Sequence, residues 1–566
     1  MITKQKANTM TGASMVVETL KHLGVDTVFG YPGGAILPIY DALYNSDIEH
    51  ILTRHEQAAI HAAEGYARAT GRVGTVMATS GPGATNLVTG IADAFMDSIP
   101  IVVITGQVAK SMIGTDAFQE VDVIGITMPV TKYSYQVHDT KELPRVLCEA
   151  YHIARTGRPG PVVIDIPKDV SSQTAPFELP EELDLPGYQV KTEPDLQQIE
   201  KIREAIHQAK RPLLYIGGGV IHAEAAAEIR EFVRETGIPV TSTLMGLGAY
   251  PPDDPLFIGM LGMHGTYSAN MAVYHSDLLI ACGVRFDDRV TGKLERFSPH
   301  SKKVHIDIDP AEIGKNVVID YPLVCDVKKA LQALLVHPPH PDCGEWVRQV
   351  QTWYHEYPLS YKQENNTGIK PQYVIDCLSR LTDGKAIVTT EVGQHQMWAA
   401  HFYKAKEPRT FITSGGLGTM GFGFPAAMGI QIAKPEATVI CIAGDASFQM
   451  NLQELQTVAE RRLPVKILVI NNNFMGMVRQ WQEMFYENRL SESKIGNPDF
   501  VQVAEAFGIK GLRATKPEEV EAVIKEALDT PGPVVVDVVV EEEENVFPMV
   551  PPGKGNDEML VKGWDE

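Results

Sequence analysis

Gly444-Asp445-Ala446-Ser447-Phe448 closes the apolar run Thr438–Ala443, and Asn471-Asn472-Asn473 closes the next run, Val465–Ile470. The stretch from Ser447 to Ile470 is 24 residues long, enough for one helix and one strand. Both clusters therefore stand at the carboxyl ends of strands, where open α/β sheets bind their ligands. An Asp carboxylate and an Asn amide oxygen are hard donors suited to Mg²⁺, which keeps phosphate oxygens and water as its other ligands. Gly444 lets a backbone approach closely, and a helix starting near Asn451 is expected to aim its N-terminal amides at a diphosphate. Either cluster alone reads as an ordinary turn between strands; the pair at this spacing points to a metal–diphosphate site.

The same texture extends outward. Thr75–Thr79, Ile101–Thr105, Val162–Ile166, Leu213–Ile216, Leu278–Cys282, Val304–Ile308, Ala386–Thr390 and Val534–Val540 are further short apolar runs bounded by Gly or Pro. Near-continuous apolar strands belong to parallel sheets covered on both faces. Helix-period segments such as Ala58–Ala69 and Leu452–Arg461 lie between them. The pattern predicts an α/β protein of three doubly wound parallel-sheet domains. Pro-rich Ser171–Leu196, His337–Pro341 and polar Gln363–Gly368 divide it into 1–188, 189–345 and 365–550, with a tail at 551–566. No short-period repeat relates the first piece to the third. The opening stretch, Met1 to Gly24, reads as an amphipathic first helix.

Composition narrows the function. The net charge is −21 with no long Lys/Arg run, so nucleic acid is not an expected partner. Six Cys with no CxxC pair read as packed thiols in a reducing compartment. No apolar stretch reaches membrane-spanning length, so a soluble cytoplasmic protein is expected.

The two clusters resemble the signature of the thiamine-diphosphate enzymes, Gly-Asp-Gly followed some two dozen residues later by Asn-Asn, with Ala446 at the third position here. The resemblance implies that Asp445, Asn472 and the backbone carbonyl of Phe474 ligate Mg²⁺. Thiamine chemistry also needs a carboxyl group on the cofactor's pyrimidine ring, to promote the tautomer that removes the C2 proton. Arg54-His55-Glu56-Gln57, after Ile48–Leu52 and before a helix, supplies Glu56. Alone it reads as a helix N-terminal Glu favoured by the macrodipole. The Gly-rich loops Tyr31-Pro32-Gly33-Gly34 and Ser80-Gly81-Pro82-Gly83-Ala84-Thr85-Asn86 match the family's pyrimidine domain. By resemblance Gly33, Gly34, Pro82 and Asn86 contact the cofactor from that side. Val392, Gly393, Gln394, His395, Gly418, Met420, Gly444, Ala446, Ser447 and Met477 contact it from the diphosphate side, with Met420 under the thiazolium. The family shares each active site between two subunits, so a homodimer, alone or paired into a tetramer, is expected.

Four segments are similar to the biosynthetic acetohydroxyacid synthases in particular. They are Arg54–Gln57, Gly106-Gln107 with Gly114–Glu120, Gly283-Val284-Arg285-Phe286-Asp287-Asp288-Arg289, and Gly476–Gln482. The resemblance implies FAD in the middle domain, contacted by Arg158, Gly217, Gly218, Met263, His264, Gly283, Arg285, Asp287, Asp307 and Asp326. It implies that pyruvate loses CO₂ and that the two-carbon unit passes to a second 2-ketoacid. Pyruvate as acceptor gives 2-acetolactate, and 2-ketobutyrate gives 2-aceto-2-hydroxybutyrate, at the head of branched-chain amino acid synthesis. Trp481 would wall the acceptor pocket; Gln119, Phe118 and Lys168 would line the same channel, and Arg289 would serve it more than the flavin. The apolar tail from Asn545 to Gly553 is expected as a flap over the site. A small regulatory subunit is a possible partner. Plant and fungal members, which sulfonylureas block, carry Pro where this chain has Ala109. Rival readings are another FAD-containing thiamine carboligase, a pyruvate oxidase using the flavin directly, or a scaffold. Glu56 argues against the glyoxylate carboligases, and the complete set Glu56, Asp445 and Asn472 argues against a scaffold.

Overall fold

The computed structural model describes residues 9–561. Its framework is three six-stranded sheets, each wholly parallel. From edge to edge the first runs Glu49–Leu52, Thr27–Tyr31, Gly74–Ala78, Ile101–Gln107, Pro161–Pro167, Tyr133–Gln136. The third runs Phe411–Ile412, Ile387–Thr390, Val439–Gly444, Lys466–Asn471, Val534–Val539, Lys510–Ala514. Counted along the chain within each sheet, both read 2-1-3-4-6-5, a kinship that no sequence period reveals. The middle sheet, from Phe257–Met260 at one edge to Tyr321–Val324 at the other, reads 3-2-1-4-5-6. That is the strand order of the doubly wound dinucleotide folds.

Every apolar run of the sequence lies on a strand, within two residues at either end. Strands that the apolar pattern does not mark are mostly short edge strands such as Tyr133–Gln136, Phe411–Ile412 and Lys510–Ala514. An edge strand is covered on fewer sides and tolerates polar residues. All six Cys are buried free thiols. The first described helix is Gly12–His22, whose Met15, Val16 and Leu20 are fully buried; Met1 to Asn8 lie outside the described residues.

The first and third domains meet through two helices that each follow a second strand, Glu56–Thr70 and Gly423–Ala433. A Cβ on Gly65 would stand 2.1 Å from the Ala426 carbonyl oxygen, and one on Gly429 would stand 1.8 Å from that of Ala62. Only glycine permits this approach, so the backbone sequence itself sets the crossing.

The helix expected near Asn451 starts later. Leu452–Glu454 is a 3₁₀ turn and the α-helix runs Leu455–Arg461. Buried Asn451 donates to Gly421 O at 2.7 Å, which carries the chain across to a neighbouring loop before the helix can begin. The amides nearest the strand end belong instead to the short turn Asp445–Phe448.

Candidate active site

Asp445 is 1% exposed at the end of Val439–Gly444. Its Oδ1 accepts from Ala446 N at 2.9 Å; its Oδ2 accepts from Asn473 N at 2.7 Å and Asn497 Nδ2 at 2.8 Å. Burial pushes the carboxyl up to about 6, against the pull of these donors. Among the described residues no cationic side chain pairs with it. A buried carboxylate without a counter-charge is costly, and a cation at this position would relieve it. Asn472 stands on the adjacent strand end, where its Oδ1 accepts from Phe474 N at 3.2 Å. Asn473 takes the left-handed conformation, φ 57°, that turns the chain back over Asp445. Asp445, Asn472 and Phe474 thus share one corner, and a set of hard oxygens fits Mg²⁺. Asn497 carries no sequence signal and is the residue that ties the corner together: its amide also donates to Asn471 Oδ1 at 3.0 Å and Asn473 Oδ1 at 3.2 Å.

Gly393 and Gly444 clear the space beside this corner. A Cβ on Gly444 would stand 2.7 Å from the His395 ring. His395 is buried, burial drops it to about 3, and its Nε2 has no hydrogen-bond partner among the described residues. It is a neutral imidazole with one ring nitrogen left unpaired. Gln394 is spent otherwise: it donates to Gln480 Oε1 at 2.9 Å and Glu544 O at 3.0 Å and accepts from Asn472 Nδ2 at 3.4 Å. Its side chain braces Asn472 rather than facing a diphosphate. Ser447 Oγ donates back to Gly444 O at 3.2 Å, and Ala446 contributes its backbone amide.

Val392, Gly393, Gly418, Met420, Met477 and Trp481 line one wall of a cavity of about 1650 Å³. All ten residues expected to contact FAD line the same cavity, with Arg289. Ligand pockets commonly measure about 300–1,000 Å³, so this one has room for a dinucleotide and a second ligand end to end. At its glycine corner a Cβ on Gly217 would stand 2.6 Å from Gly283 O, so the two strand ends close on each other. Asp307 ends a strand, and burial pushes it up to about 7. Arg158 pairs with Glu312 at 2.6 Å and donates to Ser98 Oγ at 2.8 Å. Arg285 donates to Met96 O. Asp287 and Asp326 also cap helices, accepting from Val290 N at 3.2 Å and Lys329 N at 3.1 Å. Trp481 sits on helix Gly476–Phe485, edge-on to Phe485 with ring centroids 5.6 Å apart.

The remaining predicted residues gather at the carboxyl edge of the first sheet. His55 caps helix Glu56–Thr70, accepting from Gln57 N at 3.1 Å, and so puts Glu56 at its first turn. Glu56 is half-buried and accepts from Asn86 Nδ2 at 2.9 Å. Gly33 packs where a Cβ would stand 2.5 Å from Thr79, and Pro82 opens the turn that carries Asn86. Gln119, at φ 60°, lies over Gly81, while Lys168 is exposed and Phe118 is 88% exposed. Within one chain none of Glu56, Gly33, Gly34, Pro82, Asn86, Phe118, Gln119 or Lys168 lines the cavity that holds Met420 and Trp481. These residues form a separate group at the first-sheet edge.

The tail is not a flap over this cavity. Val546, Met549 and Val550 are buried, and none of residues 541–561 lines it. Arg479 and Gln480 bond Glu544 O and Val546 O, each at 3.0 Å, and Val550 N reaches Met263 O at 2.7 Å. Its apolar residues are already sealed between the Trp481 helix and the middle domain. Residues 562–566 lie outside the described residues.

Family models match in chain order. The N-terminal thiamine pyrophosphate-binding domain matches residues 10–126, the central domain of those enzymes 199–334, and their C-terminal thiamine pyrophosphate-binding domain 391–538. The chain is 50% identical to an acetolactate synthase of Mycobacterium bovis, covering 97% of this chain and 91% of that one. It is 49% identical to acetolactate synthase isozyme 2 large subunit of Escherichia coli K12, covering 98% and 100%. It is 48% identical to an acetolactate synthase large subunit of Cyanidium caldarium, covering 98% of each.

Proposed function

The chain belongs to the acetolactate synthase large subunits of the thiamine pyrophosphate enzymes, and on that premise we propose how its residues divide the work. The activity is acetolactate synthesis. Pyruvate is the donor, and either pyruvate or 2-ketobutyrate the acceptor. The observation that carries this reading is the buried Asp445 carboxylate, without a counter-charge among the described residues, in the same domain as the Met420 and Trp481 wall of the cavity.

When bound, thiamine diphosphate would supply the carbon nucleophile, Mg²⁺ would offset the charge of its diphosphate, and FAD would take part in no net electron transfer. Asp445, Asn472 and the Phe474 carbonyl hold Mg²⁺. Gly393, His395, Gly444, Ala446 and Ser447 receive the diphosphate. Gly418 and Met420 shape the thiazolium side, Trp481 bounds the acceptor, and Gln119 and Lys168 line the channel. Glu56 holds a proton at the far nitrogen of the aminopyrimidine ring. The separation of the first-sheet group from the cavity supports a homodimer in which the first-sheet edge of one chain completes the cavity of another. Exposed Phe118, Met112 and Tyr31 at that edge support the same arrangement. Nine of the ten cavity residues, with Arg158 reaching in from the first domain, and the dinucleotide strand order support FAD in a domain at 189–345, between a pyrimidine domain at 1–188 and a diphosphate domain at 365–550. A small regulatory subunit fits a large-subunit relative. No helix among the described residues is long and apolar enough to cross a membrane, and a cytoplasmic place suits six free thiols.

Colorimetric acetoin detection with thiamine diphosphate, Mg²⁺ and FAD added or withheld tests the reading. Acetolactate should form only with thiamine diphosphate and Mg²⁺ present, and FAD should raise the yield. Net consumption of oxygen or quinone on pyruvate, without acetolactate, would replace it with an oxidase.

A further inference from the structure

Beneath the Gly415–Met420 loop lies a cluster of charges that the proposed chemistry does not use. Glu64 and Arg68 stand on helix Glu56–Thr70, and Asp93 and Asp97 on helix Val88–Asp97. All four belong to the first domain and all are buried. Arg68 pairs with Asp97 at 2.9 Å, Glu64 at 3.2 Å and Asp93 at 3.3 Å, and donates across the domain boundary to Thr413 O at 2.9 Å. Burial and the neighbouring Asp93 push Glu64 well above the usual carboxylate range.

The two aspartates spend their remaining oxygen lone pairs on the third domain. Asp97 accepts from Gly415 N at 3.0 Å and Gly416 N at 2.7 Å. Asp93 accepts from the Ser414 hydroxyl and from Thr419 Oγ1 at 2.7 Å. Ser414 Oγ in turn accepts from Gly418 N at 3.1 Å and Thr419 N at 2.9 Å. Gly416 is squeezed: a Cβ there would stand 2.7 Å from both Asp97 Oδ1 and Arg285 Nη2. From Ser414 to Thr419, every backbone or side-chain donor named here ends on one of these carboxylates or on the serine that they orient. Buried charge-assisted hydrogen bonds of this kind are the strong ones, and they fix backbone rather than merely pack it.

We propose that Asp93 and Asp97, held by Arg68, are positioning residues for the loop that carries Gly418 and Met420, setting its shape before the cofactor arrives. The loop has glycine at three of its six positions from Gly415 to Met420 and no strand or helix of its own. Unheld, such a segment would pay ordering entropy on binding; anchored to the first domain, it does not. The inference rests on the proposed placement of Met420 against thiamine diphosphate.

The test is Asp97→Asn in the full chain, read by amide hydrogen exchange and by cofactor titration. The amide replaces one acceptor with a donor facing Gly415 N, Gly416 N or Arg68. Exchange over 415–420 should rise about ten- to a hundredfold, as expected when a buried charged acceptor is lost. The strands Gly74–Ala78 and Val439–Gly444 should keep their protection. Half-saturation by thiamine diphosphate with Mg²⁺ should rise by about tenfold or more and kcat should fall, while the pyruvate KM at saturating cofactor stays within about twofold. Unchanged exchange over 415–420 overturns the proposal. A loop that loosens with cofactor half-saturation unmoved overturns the placement of Met420, while the link between carboxylates and loop stands. Should Asp97→Asn fail to fold, Ser414→Ala decides by the same criteria. It removes the acceptor of Gly418 N and Thr419 N from the loop side and leaves every charge in place.

Discussion

After its second strand the first sheet gives Thr53-Arg54-His55-Glu56 and then a helix. After its second strand the third sheet gives the segment from Thr413 to Gly421 and then a helix, and the two helices pack against each other. The parallel continues around both sheets. Tyr31-Pro32-Gly33-Gly34 answers Glu391-Val392-Gly393, Ser80-Gly81-Pro82 answers Gly444-Asp445, and the segment reaching Gln119 answers Asn471-Asn472. One topology is used twice, and the proposed chemistry divides between the copies. Among the described residues the first copy has no counterpart of the Asp445–Asn472 pair at its strand ends, but it offers a carboxyl group at a helix start. The third offers the cation corner and the glycine loop. Function here lies in what each strand end carries, not in the sheet.

Removing the third copy's contribution should have the largest effect. In Asp445→Ala the carboxylate goes, and Ala446 N, Asn473 N and Asn497 Nδ2 lose their acceptor. Changing even an outer-shell partner of a metal site costs about 10–100-fold in affinity or activity, so Mg²⁺-dependent thiamine diphosphate binding should weaken by more than about 100-fold. FAD should still bind, because its proposed contacts lie in the first and middle domains. Calorimetric titration with each cofactor checks this, and equal loss of both would mean unfolding instead.

In the first copy, Glu56→Gln should leave both cofactors bound and slow turnover by roughly 10²–10⁴, the usual worth of a positioned acid–base group. Asn86 Nδ2 can still donate to the Gln carbonyl, so the loop should stay where it is. C2 proton exchange on bound cofactor is the measurement. A wild-type rate there would show that the first copy supplies binding surface only.

Trp481→Leu probes the wall rather than the chemistry. A pocket distinguishes one methylene by about 1–3 kcal/mol, roughly 10–200-fold, so preference for 2-ketobutyrate over pyruvate should fall within that range. Acetolactate should still form, since Glu56 and Asp445 are untouched. An unchanged product ratio in competition between the two ketoacids would make Trp481 a packing residue.

The parts of the molecule that the sequence shows are those where neighbours in space are neighbours in the chain. The central strands are legible because a strand buried on both faces must be apolar throughout. The Asp445–Asn472 corner is legible because adjacent parallel strands bring two loops together at a fixed spacing. Asn497 is not, because it reaches Asp445 from 52 residues away. The hold of Asp97 on Gly415 spans 318 residues. A partial signal for it exists: Glu64 and Arg68, and Asp93 and Asp97, are both four apart on helices, so each pair shares a face. Two acids on one face of an otherwise apolar helix need a buried partner. The tail misleads for a related reason, since apolar residues near a site can seal the back of a helix as well as the mouth of a channel.

The smallest effect is expected at the first copy's counterpart of the Trp481 segment, just beyond its fourth strand. Ala109 follows Ile101–Gln107 with φ −58° and ψ 148°, and among the described residues its N–H meets no acceptor. Proline fits that conformation and loses no hydrogen bond. Where the native φ already suits the ring, Xaa→Pro stabilises by roughly 0.4–1 kcal/mol through the unfolded chain. Ala109→Pro should therefore raise the melting temperature slightly and leave pyruvate turnover unchanged. In the proposed dimer, where the first-sheet edge of one chain completes the cavity of another, the ring would also give a flat ligand a fixed surface. Sulfonylurea inhibition should strengthen by about a few-fold, because a fixed ring offers its contact surface with little further ordering cost. Trp481 and Arg289, the other walls, are unaltered, so the wild type should be inhibited weakly rather than not at all. Paired inhibition and melting curves separate the two effects. A gain in melting temperature without a gain in sensitivity would show that this strand end does not face the channel, and that the two copies do not meet there.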